Sequence, residues 1–355
     1  MKNKKLLSFV LVLVLLLTTG CGSKDYIKDE TGNMFTNNKT GQTLQKDIYC
    51  KPSQGTEMYE LYETYSDQMP IPLEELPECS AFTIKKTKTD GIWSLIFVKP
   101  VAYIILKLGN VLHSWGLTKA YLGLSLIIIG ILIRIVLLPL NIKTQKQSKN
   151  MQKIQPEMQR LEKKYAGRDD QESMMAKSQE MMALYKKYKV NPMLSCLIAL
   201  IQLPIFFAFL QAIYKIPTIY EGQIFGWNLG TTPSVGVMQN HQYSYIILVV
   251  LIILTTFFSF KYSMSQAPTA NADAAQQTKT MLIVMTVMIG FASISLPTAI
   301  ALYWIATYAF VIGQTYVMKL IENRKTNYDK ELKKETKKIQ DKLKVKEGMK
   351  YGKNK

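Results

Sequence analysis

Arg134 demands more of its surroundings than any other residue in this chain. It lies in an apolar run at 121–140, six residues before Leu140. That spacing puts its Cα roughly 9 Å from the end of a helix rising about 1.5 Å per residue. A guanidinium at that depth has two options. It can snorkel, laying its stem along apolar surface until the head reaches water. It can instead face a wet cavity inside a bundle, where intramembrane charges usually point. Depth alone leaves both open. No carboxylate is available to pair it, because the apolar runs at 121–140, 193–214, 243–260, 281–296 and 298–318 contain no Asp or Glu. An unpaired cation there needs water, backbone carbonyls, lipid phosphate or the acid of a substrate. The other runs offer neutral polar groups: Gln202 before Pro204; Thr255, Thr256 and Ser259; then Tyr303, Trp304, Thr307, Tyr308 and Gln314. Thr255 and Ser259 share a helix face by i, i+4 spacing, as do Tyr303 and Thr307. Each alone can serve as interhelical glue. With Arg134 they can line one polar groove, which would lower the cost of carrying polar segments through a bilayer.

The elements that hold these residues follow from run length. Each run has about 16–22 residues. A hydrocarbon core of roughly 30 Å needs about 20 helical residues. The expected fold is an all-α membrane protein, a bundle of five transmembrane helices at 121–140, 193–214, 243–260, 281–296 and 298–318. Pro297 leaves almost no connection between the last two, so they form a tight hairpin. Residues 91–116 are apolar but interrupted by Lys99, Pro100 and Lys107. Two lysines in mid-span are costly, so this stretch is expected as an extracellular interfacial helix. Residues 143–189 carry two apolar stripes: Met151, Ile154, Met158 and Leu161, then Met174, Met181, Leu184 and Tyr188. A turn at 166–170 separates them, so 141–191 reads as a cytoplasmic helical hairpin. Its methionines either pack the two helices together or offer a pliable surface to apolar partners.

Charge gives the spans a direction. The chain carries +18 overall, with 12 Lys/Arg against 6 Asp/Glu in 141–191 and 14 against 6 in the tail 319–355. The loops at 215–242 and 261–280 are nearly neutral, and 22–90 is acidic with 8 Lys against 12 Asp/Glu. Short cytoplasmic loops collect Lys and Arg. The expected order is therefore N-terminus outside and C-terminus in the cytoplasm. The basic tail would meet either anionic lipid or ribosomal RNA phosphates.

Residues 1–20 form a signal peptide: Lys2, Lys4 and Lys5, then an apolar run, then small residues before Cys21. Beyond it, 21–90 is expected to lie outside the cell, where a Cys50–Cys79 disulfide would persist. No triad, phosphate loop or metal cluster stands out, and His113 and His241 are isolated. No enzyme activity, cofactor or metal is expected.

Two resemblances add to this reading. Gly20-Cys21 resembles a bacterial lipobox, which implies lipidation of Cys21, although Thr18 stands where an aliphatic residue is usual. Four stretches within 91–320 resemble a YidC-type membrane protein insertase. They are 123–140 with its single Arg134, 152–165 with Gln155-Pro156-Glu157-Met158, Asn191-Pro192 through Cys196 to Ile201-Gln202-Leu203-Pro204, and Leu296-Pro297 followed by Ala301-Leu302-Tyr303-Trp304. The resemblance implies a groove open to cytoplasm and lipid, with Arg134 as its charge, Gln202 in its lining and Trp304 in its wall. It implies nascent membrane proteins as partners, alone or with the Sec translocon, a bacterial plasma-membrane location and a monomer as the working unit. Relatives often carry an amide where Ser259 falls. The lipidated start is similar to Gram-positive-type members. A secondary transporter or channel is the alternative, but the spans show no repeat and no acid for ion coupling. A structural lipoprotein is a third reading.

Overall fold

Prolines decide where the long apolar helices begin and bend. The structure, a computed structural model, describes residues 25–168, 170–191, 193–264 and 272–324. The signal at 1–20, Cys21 and the tail beyond 324 lie outside the described residues, as does the side chain of Cys196. The chain divides into two compact units, 1–309 and 310–355.

In the first unit, α1 (Glu57–Thr64) belongs to an N-terminal domain, and α2 (Lys99–Ser114) follows a wider turn at Ser94–Val98. Next come α3 (Tyr121–Val136), α4 (Leu138–Lys164), α5 (Gln171–Lys187) and α6 (Met193–Lys215). A two-residue hairpin of β1 (Gln223–Ile224) and β2 (Trp227–Asn228) precedes α7 (Pro233–Met238). Then come α8 (Ser244–Met264) and α9 (Ala272–Ser295). The helix α10 (Thr298–Arg324) starts directly after Pro297 and runs on into the second unit. Pro100 and Pro139 sit in the first turns of α2 and α4, where a missing N–H costs no helical bond.

The run 121–140 is not one straight helix. It breaks at Leu137, and α3 and α4 differ in direction by 52°. Pro139 supplies the reason: its ring crowds the Ile135 carbonyl and returns no N–H to it. Arg134 therefore stands in the last turn of α3, where unsatisfied carbonyls favour a cation.

Three helices among the described residues are long and apolar enough to cross a bilayer: Ser94–Ser114, Ser244–Tyr262 and Thr298–Arg324. The bent pair of α3 and α4 makes a fourth if it counts as one span, while Ile201–Lys215 and Lys279–Ser295 are apolar but shorter. The chain is an all-α, multi-span membrane bundle, but length and hydropathy alone do not reach the expected five. The stretch expected at the interface, 91–116, itself contains one of the three. The cost assigned to Lys99 is met differently from the sequence reading. Its ammonium pairs with Asp90, the two side chains 2% and 1% exposed, and donates to the Lys85 carbonyl at 2.6 Å.

Residues 25–90, expected as a polar segment, bury apolar residues that are continuous with the core of the helices. Ile27, Leu44, Tyr62 and Cys50 are fully buried, and Ile48 and Leu73 nearly so. The structure joins Cys50 to Cys79, with Cα atoms 4.8 Å apart. This domain clasps the loop that follows α6. Thr232 N–H donates to the Thr40 carbonyl at 2.8 Å, Asn240 Nδ2 to the Lys39 carbonyl at 3.0 Å, and Gln42 to the Gly230 carbonyl. Glu221 accepts from Ser53 N–H at 3.0 Å and Thr56 Oγ1 at 2.9 Å. The clasped loop in turn holds the helix ends. Ala299 N–H donates to Leu229 O at 2.9 Å, and Thr298 Oγ1 to Thr231 O at 2.8 Å. Ile224 packs onto Gly123 of α3 so closely that an added Cβ would lie 2.8 Å from it.

The α4–α5 hairpin turns through Gly167 at φ +75°, and Asp170 caps α5 by accepting from Ser173 N–H at 2.8 Å. Ile154, Met158 and Leu161 are buried between the helices, but Met174, Met175 and Met182 are exposed. Ion pairs Lys164–Glu180 (2.6 Å) and Lys187–Glu157 (3.6 Å) cross the hairpin. In the second unit, Tyr316, Val317, Leu320 and Ile321 are exposed apolar residues on α10.

Candidate functional site

The site is built where α3, α6 and α10 meet. Gly130 is the contact that brings them together. A Cβ added there would lie 3.1 Å from the Tyr303 ring and 3.3 Å from the Thr307 methyl. Without that Cβ, α10 lies directly on α3. Arg134 is one helical turn beyond Gly130 on the same face, so it is delivered beside Tyr303 and Tyr308 and interacts electrostatically with both. From α6, Phe209 stacks on Tyr303 with ring centroids 3.8 Å apart, and Phe206 stacks on Trp304 at 5.8 Å. Gln202, on the same helix, approaches the Tyr303 hydroxyl. The contact falls short of hydrogen-bond geometry, because the hydroxyl is buried and has no partner among the described residues.

Hydrogen-bonding capacity is left unused here among the described residues. The Arg134 Nε is buried with no acceptor among the described residues, and Arg134 makes no ion pair there. A buried donor left without a partner costs about 1–3 kcal/mol, more when charged. Thr256 of α8 is fully buried, and its Oγ1 is likewise unpartnered among the described residues. Buried polar groups normally find partners, so the unsatisfied groups on α3 and α10 call for a visiting one.

The candidate residues do not all behave alike. Arg134, Gln202 and Tyr303 come together, with Trp304 on the adjoining wall. Thr307 is 1% exposed, but its hydroxyl donates to the carbonyls of Tyr303 (2.9 Å) and Trp304 (3.0 Å), so its methyl faces Gly130. Thr255 is only half-buried, and its hydroxyl is committed to the Leu251 carbonyl at 2.7 Å. The buried face of α8 carries Tyr245, Leu248, Ile252, Thr256 and Ser259. Thus Ser259 shares its buried face with Thr256 rather than with Thr255. Gly130, Phe209 and Tyr308 also build the site. The i, i+4 spacing of Gly130 and Arg134 was the available signal for the first.

The family model of the 60Kd inner membrane protein matches residues 113–327. The membrane protein insertase YidC of Oceanobacillus iheyensis is 36% identical over 230 residues, covering 65% of this chain and 84% of its own length. The insertase YidC of Alkalihalophilus pseudofirmus is 35% identical over 246 residues, covering 68% and 88%. The insertase MisCA of Bacillus subtilis is 36% identical over 227 residues, covering 64% and 79%. The matched region contains Arg134, Gln202, Thr256 and Tyr303. The chain belongs to the 60Kd inner membrane protein family, the YidC-type insertases.

Proposed function

We propose that this chain inserts nascent membrane proteins into the bacterial plasma membrane and assists their folding, with Arg134 receiving the polar part of the entering segment. The carrying observation is the buried, unpartnered Arg134 Nε beside the unpartnered Tyr303 hydroxyl. A guanidinium held without an internal acid attracts an acidic or polar stretch of a substrate. The stretch replaces the acceptor that the fold withholds, while the adjoining apolar segment moves into lipid. No bond is made or broken, so the process needs no catalytic group. Family membership sets aside the transporter or channel alternative.

In this reading the chain crosses the membrane five times, with 121–140, 193–214, 243–260, 281–296 and 298–318 as spans. The short and bent helices then cross as parts of a packed bundle. The 25–90 domain lies outside, behind a lipid-anchored Cys21, and the α4–α5 hairpin and basic tail face the cytoplasm, where the tail meets ribosomal RNA or anionic lipid. Gln202, Tyr303, Trp304 and the α8 residues Thr256 and Ser259 line the groove, and Thr255 and Thr307 support its walls. The protein works as a monomer, alone or with the Sec translocon.

The test is insertion of a single-span substrate with an acidic tail into vesicles carrying Arg134→Ala or Arg134→Glu protein. The expected loss is about tenfold or more, equal to about 1.4 kcal/mol of lost attraction, with the variants still folded. Unchanged insertion would overturn the reading.

A further inference from the structure

A polar cavity lies at the end of the bundle that the N-terminal domain clasps. It measures about 300 Å³ and is lined by Thr118, Lys119, Tyr121, Thr218, Glu221 and Gln223. Its two walls are joined by the Gln223 N–H, which donates to the Lys119 carbonyl at 3.3 Å. Three observations point to a ligand. Thr218 is 8% exposed, and its Oγ1 is buried with no partner among the described residues. Lys119 and Glu221 face the same space, yet neither forms an ion pair among the described residues. Glu221 is held in place through Oε1, by Ser53 and Thr56, and no hydrogen bond among the described residues engages its Oε2.

An exposed lysine and a half-buried carboxylate lining one small hydroxyl-bearing space suit a zwitterion. Lys119 supplies donors for a phosphate, Glu221 accepts from an ammonium, and Thr218 bonds to either. The surroundings identify the source. Trp115, three residues before Thr118, is 75% exposed, and Phe225, two residues after Gln223, is 74% exposed. Exposed aromatics of this kind settle at headgroup depth. We propose that this cavity holds the headgroup of an aminophospholipid, a phosphoethanolamine, drawn from the adjacent leaflet. The proposal rests on the chain being a membrane protein and not on the groove at Arg134. A quaternary choline headgroup has no N–H to give Glu221, and a glycerol headgroup has no cation, so both bind more weakly.

The full chain is placed in nanodiscs of mixed phosphatidylethanolamine, phosphatidylglycerol and phosphatidylcholine, and native mass spectrometry reads the lipids it retains. The expected result is selective retention of phosphatidylethanolamine. Lys119→Gln and Glu221→Gln each reduce it about tenfold, and the second keeps an oxygen for Ser53 and Thr56. Thr218→Val reduces it less. Insertion through Arg134 is measured in the same samples and stays within twofold in Lys119→Gln, so failure of one claim leaves the other standing. Equal retention of the three headgroups, or retention unchanged by both charge variants, overturns the proposal. Displacement of the lipid by soluble phosphoethanolamine at matched concentration also overturns it, because the site would then take a free zwitterion.

Discussion

At the clasped end of the bundle, Lys99 is paired with Asp90, and Lys215 with Asp47 at 2.7 Å. The Tyr49 ring lies between the two ammoniums, 5.3 and 5.1 Å away, and its hydroxyl bonds Ser94 at 2.7 Å. Arg134, by contrast, has no ion pair among the described residues, and its Nε is buried without an acceptor beside the Tyr303 ring. The Lys99 and Lys215 ammoniums are neutralised within the fold, and the half-buried Arg134 guanidinium is not paired among the described residues. The difference separates structure from function. Satisfied charges fix the N-terminal domain, loop and helix ends to one another. Unsatisfied ones leave binding free energy for something that arrives from outside.

The comparison breaks first at Lys99. Lys99→Met leaves the Asp90 carboxylate buried and uncompensated, and removing one partner of such a pair costs about 3–5 kcal/mol. Denaturant unfolding in detergent, followed by Trp93 fluorescence, is expected to show that loss. Arg134→Met, which has no internal partner to strand, should cost far less stability. Equal losses would erase the distinction between the two regions.

Cys50→Ser with Cys79→Ser comes next. The bond closes a chain separation of 29 residues, and losing such a bond costs about 2–5 kcal/mol. Protease digestion of 25–90 should accelerate while the helices remain resistant. Free thiols on the oxidised wild-type protein would show instead that the bond does not form.

A smaller effect is expected at Gly130. Gly130→Val forces α3 away from Tyr303 and Thr307 at an overpacking cost of about 1–3 kcal/mol, and insertion should fall more than stability does. An equally active variant would show that α3 and α10 need not touch there.

The smallest effect is one of pH. Burial alone raises the Asp90 carboxyl, but the bond from Lys99 and those from Thr87 and Ser94 outweigh it and hold the group at about 2. Because the folded value lies below the unfolded one, near 3.9, the contribution to stability is complete above about pH 4. It is lost as pH falls toward 2. Thermal melts between pH 5 and 2.5 should show the decline, and Asp90→Asn should flatten it.

The centre of the candidate site was legible in the sequence, because a charge in an apolar run is rare and its missing partner is a matter of counting. Arg134 stood out on those grounds, and Gln202 and Tyr303 as neutral polar groups in the other apolar runs. The turn at 166–170 was legible from Gly167 and its polar neighbours. Other features depended on contacts between distant segments. The partner of Lys99 is nine residues away, across the turn that precedes α2. The buried residues of 25–90 have no clear period. The break at Leu137 had a local signal in Pro139, but apolar length dominated it. On α8, a one-residue difference decides which hydroxyl is buried, and i, i+4 spacing identifies a shared face without saying which way that face points.

The most direct measurement places a photo-crosslinker at Gln202, in the proposed groove, and at Thr231, in the clasped loop, and presents a stalled nascent membrane protein to each. The account predicts crosslinks from Gln202 that weaken when Arg134 is changed to Ala, and none from Thr231 while the chain is stalled. Crosslinks of equal yield from both positions, or a Gln202 crosslink indifferent to Arg134, would contradict it.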